Sequence, residues 1–224
     1  MLKLYYHPSP NPLKVALYLE ETGLPYELVP VDTRKGEQHS AEFKAINPNA
    51  KTPAMTDDGV RLFDSNAMMI YLAEKTGQFV PDNKAEMYSW LMFIATGIGP
   101  YSGQYVHFKH FAPEPKEYAV NRYDFEAWRH WNIIEERLTN QLYIMGDQYT
   151  IVDMSLWGWA RVIPFVLGAE AWEKLPNIKR WLDSINARPA AQRAEALKAQ
   201  FTFKAEMDEE SRKVLFPGNA RLAS

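Results

Sequence analysis

The 224-residue chain is 46% hydrophobic and 24% charged, and 25 basic residues against 28 acidic ones leave a net charge of −3. That balance excludes a general nucleic-acid binder, which needs a basic surplus to neutralise phosphates. Fifteen prolines and eleven glycines set aside collagenous and low-complexity readings, and the absence of cysteine excludes disulfides, thiolate metal sites and a protein-borne thiol nucleophile.

The opening MLKLYYHPSP has no apolar h-region, and the most apolar stretch, 90–98, is far shorter than the ~20 residues of a membrane helix. The expectation is a cytoplasmic protein without a membrane partner. Residues 2–6 read as a buried strand that runs into the turn His-Pro-Ser-Pro-Asn-Pro. Asn11 as N-cap, Pro12 at the first helical position and Gly23 near the end predict the first helix. Residues 26–31 read as a second strand, and Pro30 sends it to a sheet edge. Ser40 opens a short helix through Phe43 and Ile46. Residues 53–56 and 60–63 flank Asp57-Asp58-Gly59, a hairpin turn, and Ser65 is the expected N-cap of a helix over 66–75. The order βαβαββα implies parallel strands first, then an antiparallel hairpin covered by a helix.

Beyond 77–82 strand signals become scarce, and helical stretches are predicted over 85–111, 116–142, 151–166 and 175–187. Trp128, Trp131, Ile134 and Leu138 show three-and-four spacing. Thr150 and Asp153 stand as a capping box does. The fold class is therefore an α/β domain over 1–80 followed by an all-α domain over 86–201. A tail over 202–224 either folds back or stays disordered, and 206–213 reads as a solvated charge run.

Three places could carry chemistry. Ser9 and Asn11 lie at the start of the first helix, where backbone N–H groups and the helix dipole favour an anion, and a hydroxyl can donate to a bound thiolate. Lys51-Thr52-Pro53 precedes the third strand; a cis Pro53 would leave the N–H and C=O of Thr52 for an extended peptide ligand, and Lys51 could meet a carboxylate. Asp64-Ser65 offers an acceptor and donors, which suits an α-amino acid head. Each also suits an ordinary turn or cap. The fold brings all three to one end of the sheet, and a ligand with a thiol, a peptide middle and a zwitterionic head would use them together. Glutathione fits that description.

On these residues the chain resembles the cytosolic glutathione transferases over nearly its whole length, with Thr52-Pro53, Asp64-Ser65 and the Tyr149–Asp153 stretch in that family's positions. The resemblance implies a thioredoxin-like first domain, a cis Pro53, main-chain binding of the glutathione cysteinyl segment by Thr52, and γ-glutamyl binding by Asp64 and Ser65. Family members often carry Glu where Asp64 stands. Pro8-Ser9-Pro10-Asn11, Lys35-Gly36-Glu37-Gln38, Gly97-Ile98-Gly99-Pro100 and 103–108 look most like the bacterial Nu class, which includes glutathione-dependent disulfide-bond reductases and usually has Thr where Ser9 stands. That similarity implies catalytic roles for Ser9 and Asn11 at the glutathione sulfur, and Gln38 and Lys51 near the glycyl carboxylate. It also implies a homodimer.

The break at 97–100 predicts a kinked helix whose Tyr101, Gln104, Tyr105 and His107 line a second-substrate pocket, although a core role suits these aromatics equally. His107 and His110 have a metal-compatible spacing without the H-E-x-x-H pattern, and no metal is expected. Trp157 and Trp159 read as packing. The leading expectation is a glutathione-dependent disulfide-bond reductase, acting on a small disulfide and yielding glutathione disulfide. The alternatives are a transferase that conjugates glutathione to small electrophiles, and a non-catalytic regulatory protein that kept the fold.

Overall fold

A computed structural model describes residues 1–114 and 116–222. Residue 115, inside the expected helical domain, and residues 223–224, at the end of the expected tail, lie outside the described residues. The strands β1 (Leu2–Tyr6), β2 (Tyr26–Pro30), β3 (Ala54–Asp57) and β4 (Val60–Phe63) form one sheet in the order β2-β1-β3-β4. β1 runs parallel to β2 and antiparallel to β3, and β3 antiparallel to β4. The parallel pair requires a crossover, supplied by α1 (Pro10–Thr22). Pro30 is tolerated because β2 is an edge strand, with one side free of ladder partners. α2 (Ala41–Ile46) leads into β3, and the Ser40 hydroxyl accepts the Phe43 N–H at 3.1 Å. α3 (Ser65–Thr76) closes the βαβαββα order that the sequence predicts. Leu4, Tyr6, Leu17, Met55 and Met68 are fully buried between sheet and helices.

Two helix starts differ from the sequence reading. Ser9, at φ −136° and ψ 165°, is the N-cap of α1, with Pro10 as its first residue; Asn11 already stands inside the first turn. Both prolines fit there, because the first-turn N–H groups have no intrahelical acceptor to lose. Likewise Asp64, and not Ser65, caps α3: its Oδ1 accepts the N–H groups of Asn66 at 2.9 Å and Ala67 at 3.1 Å.

The remaining chain is helical. α4 (Lys84–Phe93) passes through a π-helical turn, Ile94–Ile98, into α5 (Gly99–Val106), and a second π-helical turn, His107–Phe111, follows. The Gly97–Pro100 stretch thus widens the helix by one residue instead of breaking it. α6 (Glu117–Arg137), α7 (Ile151–Ala160), α8 (Ile163–Leu167), α9 (Ala171–Lys174) and α10 (Pro176–Asn186) come next. The predicted 151–166 stretch divides in two, with Pro164 in the first turn of α8. α11 (Pro189–Ala196) lies beyond the predicted helices. The tail folds back, and its charge run is largely α12 (Glu209–Leu215), capped by Asp208. The Lys204 N–H donates to Asp32 Oδ2 at 2.7 Å, and the Phe203 ring stands edge-on to His7 at 5.0 Å.

Asp153 holds the helical half together. Fully buried, its carboxylate accepts from the N–H groups of Ile144 at 3.0 Å and Thr150 at 2.9 Å, and from the Trp181 indole at 3.0 Å. Burial pushes its carboxyl up to about 6, against the downward pull of those donors. Asp153→Asn replaces an acceptor oxygen by an N–H₂ aimed at donors. The expected cost is about 2–4 kcal/mol, read by chemical denaturation.

Candidate functional site

Sheet register brings the site together. Tyr6 lies beside Pro30, Tyr5 opposite Ala54, and Ala54 opposite Phe63. The segments that continue from these residues, 7–12, 51–53 and 64–66, therefore meet at one end of the sheet. The Thr52–Pro53 bond is cis, and Pro53 is buried beside the end of β1. Of the residues singled out in the sequence, Asn11, Asp64, Ser65 and Gln104 line one cleft of about 270 Å³, and Lys14, Asn66 and Trp159 complete its polar wall.

At the start of α1 the donors are few and uncommitted. Pro10 and Pro12 have no N–H, which leaves that of Asn11 as the free backbone donor of the first turn. The Ser9 hydroxyl makes no capping hydrogen bond. The Asn11 side chain is fixed from across the molecule: Trp159 Nε1 donates to its Oδ1 at 3.0 Å. An indole N–H can only donate, so the carbonyl end of the amide faces Trp159 and the N–H₂ end is left for a ligand. Trp159 is seated between glycines, because a Cβ at Gly99 would lie 3.1 Å from its Nε1 and one at Gly103 3.5 Å from its Cη2. Trp159 packs against the core, as the sequence reading has it, and its bond to Asn11 adds a second role.

The far wall is equally fixed. Asn66, 1% exposed, donates to the Leu91 carbonyl at 3.0 Å and accepts from Ser155 at 2.6 Å, which pins the start of α3 to α4 and α7. Asp64 spends Oδ1 on capping and keeps Oδ2 for another donor. Lys14, 2% exposed, is the residue that sequence reasoning missed, although it is a lone lysine within the apolar run 12–19. Burial pushes its ammonium down to about 8, while Asp64 pulls the other way.

The matched families carry the decision. A model of the glutathione S-transferase N-terminal domain matches residues 1–74, and one of the C-terminal domain matches residues 93–189. The chain belongs to the glutathione transferase family. Disulfide-bond oxidoreductase YfcG of Escherichia coli is 39% identical over 217 residues, covering 89% of this chain and 96% of YfcG. A glutathione transferase from Burkholderia graminis, solved with two glutathione molecules per subunit, superposes with a TM-score of 0.80 at 39% identity, over 87% of each chain. One from Pseudomonas putida, solved with one glutathione disulfide per subunit, gives 0.81 at 33% identity, over 87% of this chain and 90% of its own.

The other residues singled out in this transferase, Ser9, Gln38, Lys51, Thr52, Pro53, Tyr101, Tyr105 and His107, do not line that cleft. Gln38 is buried; its Nε2 donates to the Thr33 carbonyl at 3.2 Å, and its Oε1 has no partner. Lys51 is exposed, and its carbonyl accepts from Asn47 at 2.6 Å. Tyr101, Gln104, Tyr105 and His107 diverge. Only Gln104 reaches the cleft. Tyr101 lies tilted against His130 at 4.8 Å, while Tyr105 accepts from Lys109 at 3.3 Å and lines a separate groove with Phe108 and Asp124. His107 meets Phe216 of the tail at 4.7 Å and His110 stacks on Phe165 at 4.8 Å. Among the described residues no group of three His, Cys, Asp or Glu could hold a metal, and no helix is long and apolar enough to cross a membrane.

Proposed function

We propose that this transferase reduces small disulfides with glutathione. The thiolate of a bound glutathione attacks one sulfur of the disulfide, forming a mixed disulfide and expelling one thiolate, which takes a proton. A second glutathione thiolate attacks the mixed species, giving glutathione disulfide and the second free thiol. Two glutathione thiols are oxidised and one disulfide is reduced. The chain has no cysteine, so both sulfurs of the product come from glutathione.

The observation that carries this reading is the Asn11 amide, which lines the cleft with its carbonyl end held by Trp159 and its N–H₂ end left for a ligand, two residues after the N-cap Ser9, whose hydroxyl makes no capping bond. Neutral donors of this kind stabilise a thiolate without consuming it. Asp64 and Ser65 take the γ-glutamyl head, Thr52 and Pro53 the cysteinyl segment, and Gln38 and Lys51 the glycyl end. Gln104 faces the second substrate, while Tyr101, Tyr105 and His107 are engaged elsewhere and are left out of that pocket. The name of YfcG and the ligands of the two solved relatives support disulfide chemistry. Exposed Val60 and Phe63 on β4, and Tyr88 and Met92 on α4, supply apolar surface for a homodimer. A chain that borrows a reduced thiol suits the cytoplasm.

The test is a pair of assays on the purified enzyme, one with hydroxyethyl disulfide and one with chlorodinitrobenzene, each with glutathione. Turnover of the disulfide at a rate well above the arene is expected. Conjugation of the arene without disulfide reduction contradicts the reading and favours a conjugating transferase.

A further inference from the structure

Lys14 has no place in the scheme so far, yet it lines the cleft. Among the described residues its ammonium makes no hydrogen bond and no ion pair, although the residue is 2% exposed. A buried cation without a partner is costly, and buried charges are otherwise paired. Asp64 is the ionisable group that faces it from α3, beyond ion-pair distance and with one oxygen already committed to the helix cap. The rest of the polar lining is neutral: Asn11, Ser65, Asn66, Gln104 and Trp159. α11 brings Arg188 and Arg193 against α1, but these pair with Glu21 and Glu20 at its other end.

The direction of the side chain follows from its helix and its neighbours. Lys14 stands three residues after Asn11, on the same face of α1, and helical side chains lean toward the N-terminus, here toward Ser9 and Asn11. α7 packs closely beside its stem, since a Cβ at Gly158 would lie 2.7 Å from Lys14 Cγ. The open direction is the cleft.

We propose that Lys14 is a catalytic residue of this cleft: its ammonium is the charge partner of the bound glutathione thiolate, beside the neutral donors Ser9 and Asn11. The proposal rests on the reading that a thiolate binds there. No bond forms or breaks at Lys14. Because burial lowers its folded pKa to about 8, the charged lysine costs stability at neutral pH, and that cost fades as pH rises toward the unfolded value. An arriving thiolate supplies the missing partner and holds the proton on.

Lys14→Met and Lys14→Arg test this, read by ultraviolet titration of the bound thiol, by turnover and by melting temperature. Lys14→Met is expected to raise the ionisation midpoint of bound glutathione by about one pH unit, to slow turnover about tenfold at neutral pH, and to raise the melting temperature. S-methylglutathione, which has no thiol to ionise, should bind Lys14→Met within about twofold of wild type. Lys14→Arg should restore the ionisation midpoint. If bound glutathione is ionised in the wild type and equally in Lys14→Met, this proposal alone is overturned. Loss of S-methylglutathione affinity in step with turnover also overturns it, since Lys14 would then hold a carboxylate. A wild-type complex whose thiol ionises as free glutathione does overturns both this proposal and the function it rests on.

Discussion

Replacing Ser9 and Asn11 together by alanine lowers glutathione-dependent disulfide reduction by about 10²–10³-fold, the loss seen when a preorganised donor at a reacting anion is removed. Glutathione affinity changes little in the same variant, because the γ-glutamyl head, the cysteinyl backbone and the glycyl end are proposed to bind elsewhere in the site. The effect falls on the thiol. Asn11 is the stronger contributor, since Trp159 prevents its amide from turning over and presenting the carbonyl end to the sulfur. Trp159→Phe removes that constraint while keeping the ring between Gly99 and Gly103, so a smaller fall in rate is expected. Steady-state rates with hydroxyethyl disulfide, together with calorimetric glutathione affinities, separate the two effects. Unchanged rates in the double variant remove Ser9 and Asn11 from the chemistry.

Gly158→Ala damages fold and site together. A Cβ there would stand well inside van der Waals contact with the Pro10 carbonyl oxygen and 2.7 Å from Lys14 Cγ. A side-chain tip could move aside, but the Pro10 carbonyl belongs to the backbone at the N-terminal turn of α1. α1 must therefore shift from α7 and carry Asn11 with it. Overpacking of this kind costs about 1–3 kcal/mol, and a chain of this length loses roughly 2–4 °C in melting temperature per kcal/mol. Activity should fall further than stability, because Trp159 stays on α7 while Asn11 moves. Gly103→Ala is the comparison: its Cβ would meet only Trp159 Cη2, at 3.5 Å, an ordinary contact, and the melting temperature should hold.

How much of this was legible in the sequence depended on the range of the signal. The Asp57-Asp58-Gly59 turn, the Ser40 cap and the Thr150–Asp153 box are local, and each stands where its residues predict. The starts of α1 and α3 were misplaced because each offers two valid caps in close succession. Ser9-Pro10 and Asn11-Pro12 satisfy the same rule, as do Asp64 and Ser65, and only the folded backbone chooses between them. The divergence of Tyr101, Gln104, Tyr105 and His107 was hidden for a different reason. Each π-helical turn inserts an extra residue, so the helical phase beyond Ile94 cannot be read from 3.6-residue spacing. The roles of Trp159 and Lys14 rest on contacts between distant parts of the chain, although Lys14 stands out as the lone lysine of the apolar run 12–19. The Trp159–Asn11 bond spans 148 positions. The burial of Lys14 depends on a glycine of α7 that lets two helices approach closely.

The central claim is that a borrowed thiol is held as an anion at the start of α1. An ultraviolet titration of glutathione bound to the wild-type protein, following the absorbance of the thiolate, tests it most directly. Half-ionisation well below the roughly 8.5 of an ordinary thiol is predicted, with the midpoint rising in the Ser9 and Asn11 double variant. A midpoint at or above that value in the wild-type complex would contradict the account.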